Sequence, residues 1–452
     1  MIALRPEPAL GLAALRVVVP ALLLIAPGFE QGFQVAGWDP ARWVAPEGLR
    51  WFVDFVPIQP ALARAAQIVT AFSALCALVG VMARPALVVL TLSGFYLYSI
   101  AQLTGFVWHD MHLLWFAALL AASPCDDVMA FDARRPLDVT GVRYAVPLAC
   151  FRLLLSAVYF FPGLHKLMEG GIGWALSDNL RNQLYYKWAQ HGELPWFRID
   201  QHPWLLRLGG MFVLCFELAF PVLVHVRRTR ALAAVLGVAF HLLSAAIFRI
   251  PFASLWICYV ALFDLRRPAG RLASVLERGR ARFRKPVEPE QLPEPESRPV
   301  LSLAIGGVLV LGAVIQGARG QMRSYPFACY PTFQWSAATV MPDLGLYRVD
   351  PDGNEREIQH ARDGAGYRTQ RRWAELWSLA GVYGPASSAR LRAYLEAALR
   401  DPAVKRQAPE GSRIRLYRLD RSVLPEDRER APVSRRLLFE LDSGAERDSA
   451  QK

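Results

Sequence analysis

The chain has 452 residues, 54% of them hydrophobic and 20% charged, with a mean hydropathy of +0.22 and a formal charge of +12. A water-soluble domain of this size does not need so much apolar surface, so lipid is the expected solvent for much of it. The arginines lie in short loops between apolar runs rather than along one amphipathic face, which fits control of membrane orientation and argues against a nucleic-acid partner.

The first apolar stretch, Ala9–Ala26, follows Arg5 and ends without a small-x-small cleavage motif, so it reads as a first transmembrane helix. Further apolar stretches lie at Ala61–Met82, Pro85–Leu103, His109–Ser123, Val142–Leu164, Trp204–Val226, Ala231–Phe248, Pro251–Leu265 and Pro299–Ala318. Against the ~20 apolar residues a helix needs to cross a bilayer, this predicts about nine transmembrane helices, the fourth and eighth being short. A cytoplasmic N-terminus puts Arg84, then Arg134, Arg135 and Arg143, then Arg227, Arg228 and Arg230, then the basic run Arg266 to Lys285 on one side. The positive-inside rule therefore predicts N-in and C-out, in a bacterial inner membrane. The expected domains are a transmembrane bundle over 1–265, a cytoplasmic linker at 266–298, a last helix at 299–318 and an extracytoplasmic domain at 319–452. The linker is basic and then Pro/Glu-rich (PVEPEQLPEPESR), a flexible composition. In the outer domain a hairpin turn is expected at Asp350–Asn354, a helix start at Ser387 or Ser388, and strands at RIRLYRL and RRLLFEL. The fold class is thus an all-α polytopic membrane bundle followed by a small α+β domain.

The six cysteines include no CxxC and no histidine at ligand spacing, which argues against a metal site or a disulfide framework. Ionisable groups inside spans are costly and ask for a partner or a task. His109 and His112 open the fourth span on one helical face. His165 and Lys166 close the fifth, Glu217 (CFELAF) lies within the sixth, and His241 (VAFHLLSA) lies past the middle of the seventh. Each has a plain alternative. A lysine at a helix end can snorkel to the interface, a histidine at a span start can be interfacial, and Glu217 can pair with intramembrane Arg16 or Arg152. Against these stands convergence: Lys166, His109 and His241 come from three spans and share one depth, toward the outer side. An amine kept from water there favours its neutral form and becomes a general base.

Four segments carry a family resemblance: LRVVVPALLLI, WHDMHLLWFAALLAASPCDDVMAFD, YFFPGLHKLMEGGIGW and VAFHLLSAAIFRIPFASLWICYVALF. Together they resemble the HTTM domain, shared by the vitamin K-dependent gamma-glutamyl carboxylase and many bacterial membrane proteins. The resemblance implies that Lys166 stands where the carboxylase has the base that deprotonates vitamin K hydroquinone. It implies that His109, or failing it His112, is the catalytic histidine, and it aligns His241 with the family's Phe-His segment. The reaction it implies begins with oxygen uptake by the reduced quinone, which becomes a strong base and removes a glutamate γ-proton. Carbon dioxide then adds, and the quinone leaves as an epoxide. The implied cofactor is a reduced quinone of the menaquinone or phylloquinone type, with O2 and CO2 as co-substrates and no metal. The implied partners are the lipid bilayer, the membrane quinone and a protein or peptide substrate. Trp108, Tyr159, His165, Trp174 and Glu217 are the expected substrate-binding residues. Two departures favour quinol deprotonation over full carboxylation: the first lysine of the family's pair is His165 here, and the outer domain does not resemble the carboxylase's. Two other readings compete. One is a non-catalytic lipid- or quinone-binding protein whose outer domain recognises a partner. The other is a transporter that uses Glu217, Arg16 and Arg152 as its path.

Overall fold

The computed structural model describes residues 5–265, 299–358 and 374–442, apart from 106, 108, 134, 192–193, 251, 322–323, 329–332, 382–386, 401, 409–411 and 428–429. The linker expected at 266–298 lies outside the described residues. A short strand β1 (Glu7–Pro8) pairs with β2 (Thr140–Gly141) at the start of the bundle. Helices α1 (Leu10–Ile25) and α2 (Pro27–Ala36) then meet at a 41° bend. The bend follows from Pro27, whose ring holds Ala26 in extended backbone, ψ 141°. Next come α3 (Arg50–Phe55), α4 (Pro60–Val79), α5 (Ala83–Ala101), α6 (Met111–Ala121) and α7 (Val142–Gly170). They are followed by α8 (Gly173–Leu176), α9 (Asn179–His191), α10 (Pro203–His225), α11 (Arg230–Phe248), α12 (Ala253–Trp256) and, after the linker, α13 (Val300–Arg319).

Among the described residues six helices, α4, α5, α7, α10, α11 and α13, are long and apolar enough to cross a membrane, and the bent α1–α2 pair makes up to seven. The expectation of about nine took two further stretches as spans, and the structure gives them another reason to be apolar. Helix α6 rises only about 16 Å, half of a hydrocarbon core. It is apolar because it is enclosed: Met111, Leu113, Leu114, Trp115 and Phe116 are buried within the bundle. The α12 stretch, with a 3-10 continuation to Leu262, packs against α1 through a segment whose Cys258 and Tyr259 are also buried. By contrast, α4 turns Ile68, Phe72 and Leu75 outward and α13 turns Leu303, Val308 and Leu311 outward. These are apolar faces without protein cover, as a lipid-facing helix presents.

Arg16 and Arg152 prove to be staples. Arg16 is fully buried on α1 and donates to the carbonyls of Ala77, Leu78, Cys125 and Met129. The first two belong to the last turn of α4, whose carbonyls have no partner inside their own helix. Arg152 pairs with Glu7 at 3.0 Å, and Glu7 also takes Arg230 at 3.0 Å, which ties the N-terminal strand to α7 and α11. Neither arginine meets Glu217, so the pairing weighed for it with them is not formed.

The C-terminal part is a four-stranded antiparallel sheet of order β4-β3-β5-β6, built from β3 (Val340–Val349), β4 (Glu355–Glu357), β5 (Arg413–Ser422) and β6 (Ser434–Asp442). Its hairpin turns at Asp350–Asn354, closed by the Asp350 N–H on the Asn354 carbonyl. Helix α14 (Ala374–Leu379), α15 (Ser388–Leu399) and α16 (Pro402–Lys405) lie beside the sheet, with Leu391, Tyr394 and Leu395 packed on Leu346, Ile414 and Leu416. Ser387 caps α15 by accepting from the Arg390 N–H. The turn, the cap and both late strands fall where the sequence pattern places them. This unit docks on the loop after α2, where Arg400 pairs with Asp39 at 2.5 Å and Arg390 donates to the Trp43 carbonyl at 2.9 Å.

Candidate functional site

Lys166 occupies the last turns of α7, and Glu217 lies in the middle of α10. The two helices come close at Gly163, where an added Cβ would sit 2.7 Å from the Glu217 Cβ. That approach lets Lys166 Nζ donate to both carboxylate oxygens of Glu217, at 2.6 and 2.7 Å. The two side chains are 4% and 5% exposed. The Trp174 ring faces Nζ from 5.4 Å, a cation–π distance. Trp174 is itself fixed by donating Nε1–H to the Phe333 carbonyl at 2.6 Å. Phe333, in the left-handed region at φ 61°, belongs to the segment that joins α13 to the sheet.

A second polar chain forms from α7, α11 and α12's continuation. Tyr259 donates to the Tyr159 oxygen, and Tyr159 Oη lies 2.5 Å from His241 Nε2. One proton order uses every hydroxyl hydrogen: Tyr259 to Tyr159, then Tyr159 to Nε2. The reverse order strands the Tyr259 proton, so the first leaves fewer buried donors unmet. It makes His241 a neutral imidazole with its proton on Nδ1, the atom that has no hydrogen-bond partner among the described residues.

Both chains face one cavity of about 150 Å³, lined by Lys166, Glu217, Trp174, Tyr159, His241 and His109 together with apolar side chains of α10 and α11. A single water needs only ~10–15 Å³, so this space takes an organic ring. His109 packs its ring 4.9 Å from Phe252, which in turn lies 5.7 Å from the His241 ring. On α10 and α11 the lining includes half-buried Gly209, Phe212 and Ser244 and exposed Leu243 (52%). Part of the cavity wall therefore comes from two helices with lipid-compatible outer faces. Phe333 belongs to the same lining.

The loop before α10 is held by Asp200, which takes Arg198 at 2.7 and 2.9 Å and the Tyr185 hydroxyl at 3.2 Å. Burial pushes the Asp200 carboxyl up, but Arg198 and Tyr185 together bring it below its ordinary value. Among the described residues no three His, Cys, Asp or Glu side chains gather closely enough to hold a metal ion.

Of the residues singled out from sequence, Lys166, His109, His241, Glu217, Tyr159 and Trp174 meet at this cavity. Two do not line it. His112 is 2% exposed, and its ring nitrogens face the carbonyls of His109 at 2.5 Å and Ser254 at 3.0 Å, so it fastens α6 to α12. His165, one residue from Lys166, points about 100° around the helix and bonds the Gly317 carbonyl of α13 at 2.8 Å. Trp108 lies outside the described residues. Phe333 at the cavity and Tyr259 behind Tyr159 were missed, because their places come from contacts about 100 residues or more away in sequence.

No curated protein and no solved structure matches the chain. The family model for the HTTM domain matches residues 4–265, more than half of the 452. The chain belongs to the HTTM family, whose domain is the one found in vitamin K-dependent gamma-carboxylase and related proteins.

Proposed function

We propose that this protein is an integral membrane enzyme acting on a membrane-borne reduced quinone, with the Lys166–Glu217 pair as the site where the quinol hydroxyl loses its proton. The observation that carries the reading is that Lys166, Glu217, His109 and His241, from separate helices or loops, line one cavity. The walls fit such a ligand: an apolar body between α10 and α11, an ion pair at one wall, and the His241 imidazole at another. A ligand with two ring oxygens and an isoprenoid tail answers those demands, and a site walled by two lipid-facing helices can take it from the bilayer without a passage through water. Bound there, a reduced quinone supplies the two-electron reducing power that chemistry with O2 requires.

The protein's part is to bind, orient and move a proton. His241 presents its ring to the ligand, and its tautomer is set by Tyr159 and Tyr259. The Lys166–Glu217 pair faces a ligand oxygen, and His109 stands on the wall lined by Phe252. Trp174 and Phe333 line the cavity beside the pair and help keep water from it. We place the N-terminus in the cytoplasm of a bacterial inner membrane and the sheet outside. The basic loops support this when the short α6 and α12 stretches also carry the chain across, which makes about nine passages. Carboxylation of a protein or peptide glutamate is the extension of this reading that the family supports.

The test is to incubate purified protein with menaquinol and oxygen and to assay epoxide for the native chain and for Lys166→Ala. Epoxide should form with the native chain and fall at least 100-fold in the variant, the lower end of what a positioned acid or base contributes. Equal yields would refute the role of the pair. Binding of menaquinone without any turnover would leave a quinone-binding protein.

A further inference from the structure

An amine takes a proton only through its nitrogen lone pair, and an ammonium has none. Lys166 Nζ stands 2.6 and 2.7 Å from the two Glu217 oxygens, the arrangement of an –NH3+ making two charge-assisted bonds to a carboxylate. The Trp174 ring at 5.4 Å adds a second group that favours the cation. A carboxylate has about four lone-pair sites, so Glu217 keeps acceptor capacity after taking both bonds from Lys166. It also lines the cavity.

Resting on the quinol reading above, we infer that Glu217 is the proton acceptor and that Lys166 acts as a fixed positive charge rather than as the base. In the step, the ligand O–H bond breaks and an O–H bond forms on a Glu217 oxygen. The bonding electron pair stays on the ligand oxygen, next to the Lys166 –NH3+. The cavity is neutral before the transfer, with an ion pair and a neutral ligand. It is neutral after it, with a neutral carboxyl and a new ion pair between Lys166 and the ligand. No unpaired charge is created in a dry site, which is the condition for a low barrier there. No further reactant is needed for this transfer.

Infrared difference spectra of the protein loaded with menaquinone, taken before and after reduction, read the carboxyl directly. Reduction should produce a protonated-carboxyl band in the native protein that shifts on isotopic labelling of glutamate and is missing in Glu217→Gln. The native measurement needs no variant to fold. Glu217→Gln should still bind oxidised menaquinone yet lose at least 100-fold in epoxide formation. Lys166→Arg should lose no more than about tenfold and keep the band, because a guanidinium holds the charge and cannot act as a base. Absence of the band in the native protein, turnover by Glu217→Gln within tenfold of native, or a loss in Lys166→Arg as large as in Glu217→Gln would each overturn the assignment. Lack of menaquinone binding by the native protein would instead remove the quinol reading itself.

Discussion

Replacing Lys166 by Met should destabilise the bundle by several kcal/mol, and replacing Glu217 by Leu at the same time should restore most of it. Direct attraction at 2.6–2.7 Å is ~6 kcal/mol at an effective dielectric of about 20. Desolvation of two buried charges offsets much of that, so the pair as a whole adds little over apolar side chains. Breaking it is different. With both side chains about 5% exposed, water cannot screen the survivor, which avoids a bare charge by changing its protonation. At pH 7 a carboxyl with an ordinary value of about 4.3 pays (7 − 4.3) × 1.36, or about 3.7 kcal/mol, to take a proton. A lysine of about 10.4 loses one at a cost of about 4.6 kcal/mol. Lys166→Met should therefore cost about 3.7 kcal/mol at pH 7 but only about 1 kcal/mol at pH 5, where a carboxyl protonates readily. Glu217→Leu should cost more at pH 5 than at pH 7, the opposite slope. The double variant should lie within about 1 kcal/mol of native or above it. Reversible unfolding in mixed micelles at the two pH values measures all four proteins. A Lys166→Met penalty below about 1 kcal/mol at pH 7, or one that does not shrink at pH 5, would refute the claim that the pair is dry.

Arg16→Met leaves the carbonyls of Ala77, Leu78, Cys125 and Met129 without their donor. At about 1–3 kcal/mol for each unmet group, the loss in unfolding free energy should exceed about 4 kcal/mol. Gly163→Ala puts a methyl 2.7 Å from the Glu217 Cβ and should separate α7 from α10, costing about 1–3 kcal/mol in the same unfolding assay together with a drop in turnover. Tyr159→Phe removes the donor to His241 Nε2 and the acceptor of the Tyr259 proton, so it should cost more than Tyr259→Phe, which strands neither. The Asp200 carboxyl sits below its ordinary value, so its hold on Arg198 is complete above about pH 4 and lost as pH falls through the lower folded value. Hydrogen exchange in the loop before α10 should accordingly rise only in acid for the native chain, but at neutral pH for Asp200→Asn.

Much of this molecule is written in its local pattern. Apolar runs of about 20 residues specify spans because a bilayer has one thickness. The Asp-Pro-Asp-Gly-Asn turn, the Ser387 cap and the alternating RIRLYRL and RRLLFEL strands need only their neighbours to be recognised. The polar residues among the apolar runs also marked the cavity, since a histidine or lysine in that setting must find company. What local pattern leaves undecided is which company. Hydropathy cannot separate α6, apolar because protein encloses it, from α4, apolar because lipid does. Adjacent His165 and Lys166 have the same composition around them, yet a turn of about 100° per residue sends one to α13 and the other to the cavity. Glu217 had two arginines within its reach on paper, and helix packing at Gly163 gave it to Lys166 instead. Sequence alone therefore determined that charged groups are buried in a membrane bundle. Tertiary structure decided their pairing, because at these dielectric constants a contact of under 3 Å outweighs every longer one and no spacing rule along the chain can forecast it.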